Sequence, residues 1–244
     1  FYNCTALTTL TFSGENNLII INQNAFENCK KLETVYIPST LRHSGAQAFN
    51  GCTALREVDA ADLTAWMNIK FGDGAGNPIK FSHSLWIDGE ELTDLVGPES
   101  VTSIRNHAFY YDYSLRSVTM HDGVTNIGKS AFCYCNGITN IVFSRGLESI
   151  GMYAFNGCAG LKEADLPEGV VEIKQYAFKD CPGLTTVKIP STVEYIGADA
   201  FAGSGPLNVR LGNGMTEICD NAFSNCTTLV GIAIPSTVTN IGNA

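Results

Sequence analysis

Residues 181–201 read CPGLTTVKIPSTVEYIGADAF, and this stretch decides the fold because copies of it recur along the chain. Reduced to the positions that recur, the unit is C-x2-L-x2-V-x-I-P-x2-V-x2-I-G-x2-A-F. The phenylalanine that ends the unit is found at Phe1, Phe26, Phe49, Phe109, Phe132, Phe155, Phe178, Phe201 and Phe223. Five of the eight gaps between these phenylalanines are 23 residues long. A fixed period of this length is the signature of a repeat architecture.

Each unit is predicted to hold one short strand followed by a turn. The segment from Leu184 to Ile189 alternates, so Val187 and Ile189 face one side and the residue between them faces the other. Pro190 lacks a backbone N–H and ends the strand, and Gly197 permits a tight turn. A single coil of this length cannot bury its own apolar side, whereas stacked coils bury these positions against each other. The pattern therefore predicts a solenoid with one short strand per coil and little helix.

The unit resembles the BspA-like leucine-rich repeats of bacterial cell-surface proteins. The resemblance rests on the 23-residue period, the Ala-Phe pair, the cysteine three residues after the phenylalanine and the Ile-Pro strand end, and nearly the whole chain carries them. It implies a leucine-rich-repeat solenoid with a curved parallel β-sheet. It also implies a secreted or surface-attached protein that takes part in adhesion to host matrix proteins or other cells. These motifs specify the scaffold and leave the ligand open.

The composition is that of a folded chain with an acidic surface. Of the 244 residues, 45% are hydrophobic and 16% are charged, which excludes intrinsic disorder. The longest purely aliphatic run, from Leu18 to Ile21, is far shorter than the roughly 20 residues of a membrane-spanning helix. The 15 basic and 24 acidic residues give a net charge of −9, so a polyanion such as nucleic acid is repelled.

The repeat is interrupted between Phe49 and Phe109, where the gap of 60 residues equals one period of 23 plus an extra 37. We predict an elongated coil over residues 61–91, inserted in a single solenoid that spans residues 1–244. Both ends of the chain fall inside a unit, and capping coils are normally needed to cover the ends of such a stack. We therefore expect a fragment of a longer surface protein whose signal, caps and anchor lie elsewhere.

The elongated coil carries the most unusual residues of the chain. Residues 72–77 are rich in glycine and are expected to be irregular, and Asp88-Gly89 between two short strands indicates a β-hairpin. The coil also contains both tryptophans, Trp66 and Trp86, which are candidates for a binding element on the rim of the solenoid. A plain surface loop is the alternative interpretation.

Seven of the nine cysteines occupy one position of the repeat: Cys4, Cys29, Cys52, Cys135, Cys158, Cys181 and Cys226. In a parallel stack, equivalent Cβ atoms would lie about 4.8 Å apart, longer than the roughly 3.5–4.5 Å of a disulfide. A spacing of one period is not metal-ligand spacing either. We expect a buried column of free thiols. Cys133 and Cys219 lie off the column, and the sequence leaves their redox state open.

No motif for catalysis or for a cofactor is present. The sequence contains no G-x-S-x-G, no H-E-x-x-H and no Walker-type loop, and its four histidines share no motif. The glycine-rich residues 72–76 lack a following helix that could bind phosphate. We predict a protein that is not an enzyme and that uses no cofactor and no metal.

The strand residues that point away from the core form two columns on the predicted concave face, which is the usual binding surface of a solenoid. The binding candidates in these columns are Tyr36, Glu57, Asp59, Asp94, Glu163, Asp165, Lys188 and Arg210. The repeat register is expected to bring Glu57, Asp59 and Asp94 together. It is also expected to place Glu163 and Asp165 beside Lys188 and Arg210. Plain solvated charge is the alternative for any single residue.

Three functions are open at this point. The first, favoured by the resemblance, is a non-catalytic extracellular adhesion module that binds a host-matrix or other extracellular protein through its concave face. The second is a carbohydrate-binding surface protein, with Trp66, Trp86 and the group Tyr110, Tyr111 and Tyr113 as sugar platforms. The third is a rigid structural spacer, which predicts no ligand at all.

Overall fold

The computed structural model describes residues 1–12, 17–205 and 208–243, which form a stack of coils with two strand faces. The first face holds β1 Thr9–Leu10, β3 Thr34–Ile37, β5 Glu57–Ala60, β7 Trp86–Ile87, β8 Glu90–Glu91, β9 Asp94–Val96, β11 Ser117–Thr119, β13 Asn140–Val142, β15 Glu163–Asp165, β17 Thr186–Lys188 and β19 Asn208–Arg210. The second face holds β2 Ile20–Ile21, β4 His43–Ser44, β6 Lys70–Phe71, β10 Ser103–Ile104, β12 Asn126–Ile127, β14 Ser149–Ile150, β16 Glu172–Ile173, β18 Tyr195–Ile196, β20 Glu217–Ile218 and β21 Asn240–Ile241.

Neighbouring coils pair their strands in parallel, one repeat apart. The first face consists of three sheets with the orders β1-β3-β5-β7-β8, β9-β11-β13 and β15-β17-β19. The second face consists of two sheets, β2-β4-β6 and β10-β12-β14-β16-β18-β20-β21. The predicted parallel solenoid is therefore confirmed. The second strand of each coil is an addition to the prediction, because a two-residue strand such as Tyr195–Ile196 is too short to show an alternating pattern.

The core is organised by columns of identical side chains. The phenylalanine rings of adjacent coils stack nearly parallel in two runs, Phe1-Phe26-Phe49 and Phe109-Phe132-Phe155-Phe178-Phe201-Phe223, with centroids 5.2–5.4 Å apart. Beside them runs the cysteine column, in which six of the seven thiols donate to the carbonyl of a phenylalanine in the preceding coil. In one example, Cys158 Sγ lies 3.1 Å from the carbonyl oxygen of Phe132. All nine cysteines are free, as predicted for the column.

The elongated coil contains two short helices, α1 Leu63–Met67 and α2 Ile79–Ser82. A 3₁₀ turn covers Gly74–Gly76, so the expectation that residues 72–77 are wholly irregular was wrong. Glycine is required at Gly72 because a Cβ there would lie 2.4 Å from the backbone nitrogen of Ala46 in the preceding coil. Across the described ranges, no helix is both long and apolar enough to cross a lipid bilayer.

Trp66 belongs to the core and not to the rim of the solenoid, which corrects the sequence prediction. The elongated coil has Gly76 where regular coils place phenylalanine, since Phe49 N–H donates to the carbonyl of Ala75 as Phe26 N–H donates to that of Ala48. Trp66 is 1% exposed and supplies the aromatic ring that this coil lacks. Its ring packs against Phe71 with centroids 5.3 Å apart. Burial leaves Trp66 unable to contact a ligand.

Candidate binding surfaces

The outward residues of the first face lie in the predicted columns over most of the stack. Thr34 pairs with Glu57, and Tyr36 pairs with Asp59. The first column contains Thr34 and Glu57, and the second contains Tyr36 and Asp59. Further along, the second column continues with Asp165, Lys188 and Arg210 on three paired strands, and Glu163 lies beside it in the first column. Each neighbour in a column belongs to the adjacent strand, about 4.8 Å away. A rigid backbone therefore sets the spacing of these side chains.

Opposite charges meet in one part of this face, which we call the mixed-charge strip and define as Glu163, Asp165, Lys188 and Arg210. Lys188 Nζ lies 3.1 Å from Asp165 Oδ1, and both side chains are more than half exposed. Arg210 forms no ion pair with any described residue. The strip lines a recess of about 360 Å³. An exposed ion pair of this kind stabilises a fold by only about 0–1 kcal/mol, so these charges are free to serve recognition.

Asp94 does not join Glu57 and Asp59, and the predicted cluster of these three acids was wrong. The strand of the elongated coil intervenes, because Asp59 pairs with Trp86 on β7. Asp94 lies in a different sheet and pairs with Ser117. Hydrogen bonds from the hydroxyls of Ser117 and then Thr93 lower the pKa of Asp94, so this acid is already bonded to its own coil and to the next one.

The sequence placed Trp86 on a rim, but the structure places it in the second column. The predicted hairpin is present, with Trp86 opposite Glu91 and left-handed backbone at Asp88 and Gly89. Trp86 is half-buried, and its indole N–H lies 3.3 Å from the hydroxyl oxygen of Ser84. Parallel pairing then forms an outward row of Tyr36, Asp59 and Trp86 on three adjacent strands. This row depends on the pairing of β7 with β5, which the sequence did not predict.

A cluster of aromatic rings lies beside the Ala-Phe turns, where the elongated coil meets the regular ones. The ring centroids of Tyr111 and Tyr134 are 4.6 Å apart, and those of Tyr110 and Tyr111, which meet edge-on, are 4.7 Å apart. Tyr113 stacks on His83 with centroids 4.4 Å apart and is 37% exposed. Tyr111 and Tyr134 both have a positive φ, which is unfavourable for a bulky side chain. The contact between their tilted rings offsets part of that backbone cost, since an aromatic pair contributes about 0.5–1.5 kcal/mol.

The repeat and the two strand faces agree with one family of proteins. The model of the BspA type leucine-rich repeat region matches the chain in six copies, over residues 1–70, 87–208 and 206–244. The chain belongs to the BspA-type leucine-rich repeat family. Residues 71–86, which the family model leaves out, lie within the elongated coil. No curated protein matches the chain.

Solved structures of leucine-rich repeat proteins share the architecture of this BspA-type chain. The leucine-rich repeat protein TpLRR of T. pallidum is 30% identical, with a TM-score of 0.53 over 64% of this chain and 70% of that one. A leucine-rich repeat protein from Eubacterium ventriosum is 18% identical, with a TM-score of 0.63 over 96% and 87%. The pneumococcal vaccine antigen PcpA is also 18% identical, with a TM-score of 0.51 over 96% and 68%. The last two likenesses show the fold alone.

A wide recess of the BspA-type chain lies on the second face, where the sequence predicted no site. It measures about 920 Å³ and joins a second recess of about 360 Å³, and Lys70 and Arg105 line both. Arg42 and His43 also line the larger recess, and Asp62 is the one acid among the described residues that line it. A basic recess is unexpected in a protein of net charge −9. The signal in the sequence was the basic residues Arg42, Lys70 and Arg105, which lie at or beside short strands of separate coils. The sequence prediction covered the first face alone.

The thiols and histidines of the described residues do not form a metal site, since no group of three or more His, Cys, Asp or Glu side chains is suitably placed there. Burial raises the pKa of Cys52, Cys133 and Cys181 to about 12, so these thiols stay protonated and unreactive at neutral pH. Cys133 and Cys219, whose state the sequence left open, are both free thiols.

Proposed function

We propose that this BspA-type chain is a non-catalytic binding module that recognises a protein partner through its first face, outside a bacterial cell. The observation that carries the proposal is the mixed-charge strip. Its four charged side chains, Glu163, Asp165, Lys188 and Arg210, point outward in register on three paired strands. Their one ion pair is exposed and adds little to the stability of the fold. The family resemblance adds the surface location and the role in adhesion.

The geometry of the strip suits a protein surface better than a small molecule. The side chains that line the recess are mainly charged or polar, whereas small ligands are usually held in pockets that are mostly apolar. Complementary charge on a partner would give a fixed register and a fast association rate. A stable contact with a protein buries about 600–1,000 Å² on each partner, which requires several neighbouring strands of the face.

A binding screen tests the proposal. The chain is tested at physiological salt against extracellular matrix proteins, serum glycoproteins and a glycan array. Any protein that binds is then measured against Lys188→Glu/Arg210→Glu, with Lys30→Glu/Lys31→Glu as a control of equal charge change at exposed lysines away from the strip. We expect saturable binding that the first variant loses and the control keeps. Equal loss in both variants would reduce the effect to overall charge and contradict the proposal.

Carbohydrate binding is the second candidate, and the tyrosine cluster is the observation that favours it. Tyr113 is stacked on His83 and partly exposed, as a platform for a sugar ring would be. Trp66 no longer supports this function because it is buried. A glycan that binds the chain and is lost in Tyr113→Ala, but not in Lys188→Glu/Arg210→Glu, would establish it. If no protein and no glycan in the screen binds the chain, the result would instead favour a rigid structural spacer.

A further inference from the structure

The second face is split at the elongated coil, and this seam lies away from the first face on which the proposed function rests. The strands β6 and β10 end their respective sheets and are not paired with each other. On the first face, the hairpin of β7 and β8 occupies the equivalent position. At the Ala-Phe turns, the side chains of Trp66 and Asn77 bridge the seam by donating to the carbonyl of Ala108. The first face also has sheet boundaries, between β8 and β9 and between β13 and β15, but the seam on the second face is the one that Lys70 and Arg105 line.

The open edges carry unused backbone groups. Elsewhere on this face, the residue after each short strand donates to the preceding coil, as Gly128 N–H does to the carbonyl of Ile104 at 2.8 Å. The counterparts across the seam are Arg105 N–H and the carbonyl of Phe71, and neither has a backbone partner among the described residues. Lys70 and Gly72 donate to the β4 side, at Arg42 and Ser44, so the N–H and C=O of Phe71 face the seam.

The charge around the seam is positive. Lys70 and Arg105 are exposed at its rim, and neither forms an ion pair with a described residue. Asp62, the one acid among the described residues that line the larger recess, caps α1 because its carboxylate accepts from Ala65 N–H. Beneath the rim, the buried side chains of Phe71 and Ile104 form an apolar floor.

We propose that the seam between β6 and β10 binds an extended acidic peptide as an added β-strand. A peptide backbone supplies the donors and acceptors that the two open edges lack, which an anionic glycan cannot do in register. Acidic side chains on one face of the strand would meet Lys70 and Arg105, and the alternating apolar side chains would meet the floor. The ligand class is therefore a segment of protein in which Asp or Glu alternates with Val or Ile.

The probe is a phage-displayed library of random 12-residue peptides, selected on the intact chain and followed by affinity measurements on the synthetic winners. We expect enrichment of alternating acidic and apolar sequences. Lys70→Glu/Arg105→Glu should weaken their binding about tenfold or more, because attraction becomes repulsion at both rim cations. Lys30→Glu/Lys31→Glu and Lys188→Glu/Arg210→Glu should change it less than twofold. The last variant separates this site from that of the proposed function, so either can fail alone.

Two further readouts report strand addition specifically. Methylation of alternate backbone nitrogens of the peptide should abolish binding, and hydrogen exchange of the bound chain should slow at residues 69–72 and 102–105. Lys70→Gln/Arg105→Gln replaces the reversed variant if the latter melts early. The proposal is overturned if no peptide is enriched, if the methylated peptide binds equally well, if the rim variant has no effect, or if heparin binds at the seam where peptides do not.

Discussion

The indole N–H of Trp66 donates to the carbonyl oxygen of Ala108 over 3.0 Å, and this bond joins the elongated coil to the first regular coil after it. The stacked phenylalanine column is interrupted at this point. In the regular coils, the core ring comes from the phenylalanine of the coil itself. Trp66 supplies that ring in the elongated coil, together with one hydrogen bond to the next coil. The elongated coil and the next coil are therefore bonded at the Ala-Phe turns, although their strands β6 and β10 on the second face are not paired.

Replacement of Trp66 by alanine should destabilise the chain strongly. The substitution removes a fully buried ring and one donor to Ala108, and comparable losses cost about 3–5 kcal/mol. Chemical denaturation followed by circular dichroism measures the change in the free energy of unfolding. Trp86→Ala is the matched control, and it should cost less than half as much because Trp86 is only half-buried. Equal costs would contradict the assignment of Trp66 to the core.

The phenylalanine column should transmit damage along the stack. Phe155 stacks between Phe132 and Phe178, with centroids 5.3 and 5.2 Å away. Phe155→Ala should cost about 3–5 kcal/mol and should also speed the hydrogen exchange of both neighbouring coils. Val142→Ala is the control in a nearby coil, since Val142 is 49% exposed. An unchanged unfolding curve for Phe155→Ala would refute the interlocked solenoid.

Asp112 should make stability depend on pH. It takes a cysteine position in the buried column, and its Oδ1 accepts from Ser114 while its Oδ2 has no hydrogen-bond partner in the described part of the chain. Burial raises its pKa to about 7. Between about pH 4, where an unfolded aspartate ionises, and pH 7, the folded state holds a proton that the unfolded state releases. Stability should therefore fall as pH rises through this window, by up to about 1.4 kcal/mol per unit.

The variant Asp112→Cys restores the residue usual at that position and should remove this dependence. Free energies of unfolding at pH 4.5, 6 and 7.5, measured for both proteins, isolate the contribution of Asp112 because the other groups cancel. We expect the variant to gain on the wild type as pH increases. Parallel pH profiles would show that Asp112 is ionised in the folded protein.

The thiols should divide into protected and accessible sets. Iodoacetamide at pH 7.5 should leave Cys52, Cys133 and Cys181 unmodified in the native chain, because burial raises the pKa of each to about 12. Cys219 is half-buried and should react first among the off-column cysteines. All nine should react in urea. Intact mass before alkylation would reveal a disulfide as a loss of two hydrogens, and such a loss would contradict the free-thiol column.

Much of the architecture could be read from the sequence because one period repeats it. The phenylalanine and cysteine columns follow from equivalent positions in stacked coils, and so do the neighbours Asp165, Lys188 and Arg210. The elongated coil had no such template. Trp66 looked like a rim residue because its burial depends on Gly76, ten positions away in the chain and adjacent in the core. Such compensation between distant residues leaves no local pattern.

The candidate sites were harder to predict for the same reason. Asp94 was predicted to lie beside Glu57 and Asp59 because the repeat pattern does not show that β7, the strand that contains Trp86, lies between them. The basic seam was missed because two-residue strands show no alternation, so the second face was not expected to exist. Its cations come from separate coils, and only the break between β6 and β10 makes them a group.

Mapping a bound protein on the chain tests the central claim most directly. The partner found in the screen is added to the intact chain, and hydrogen exchange is compared with and without it, in the wild type and in Lys188→Glu/Arg210→Glu. Recognition by the first face predicts slower exchange in β15, β17 and β19 that disappears in the variant, with the second face unchanged. Protection confined to other parts of the chain, or retained in full by the variant, would contradict the account.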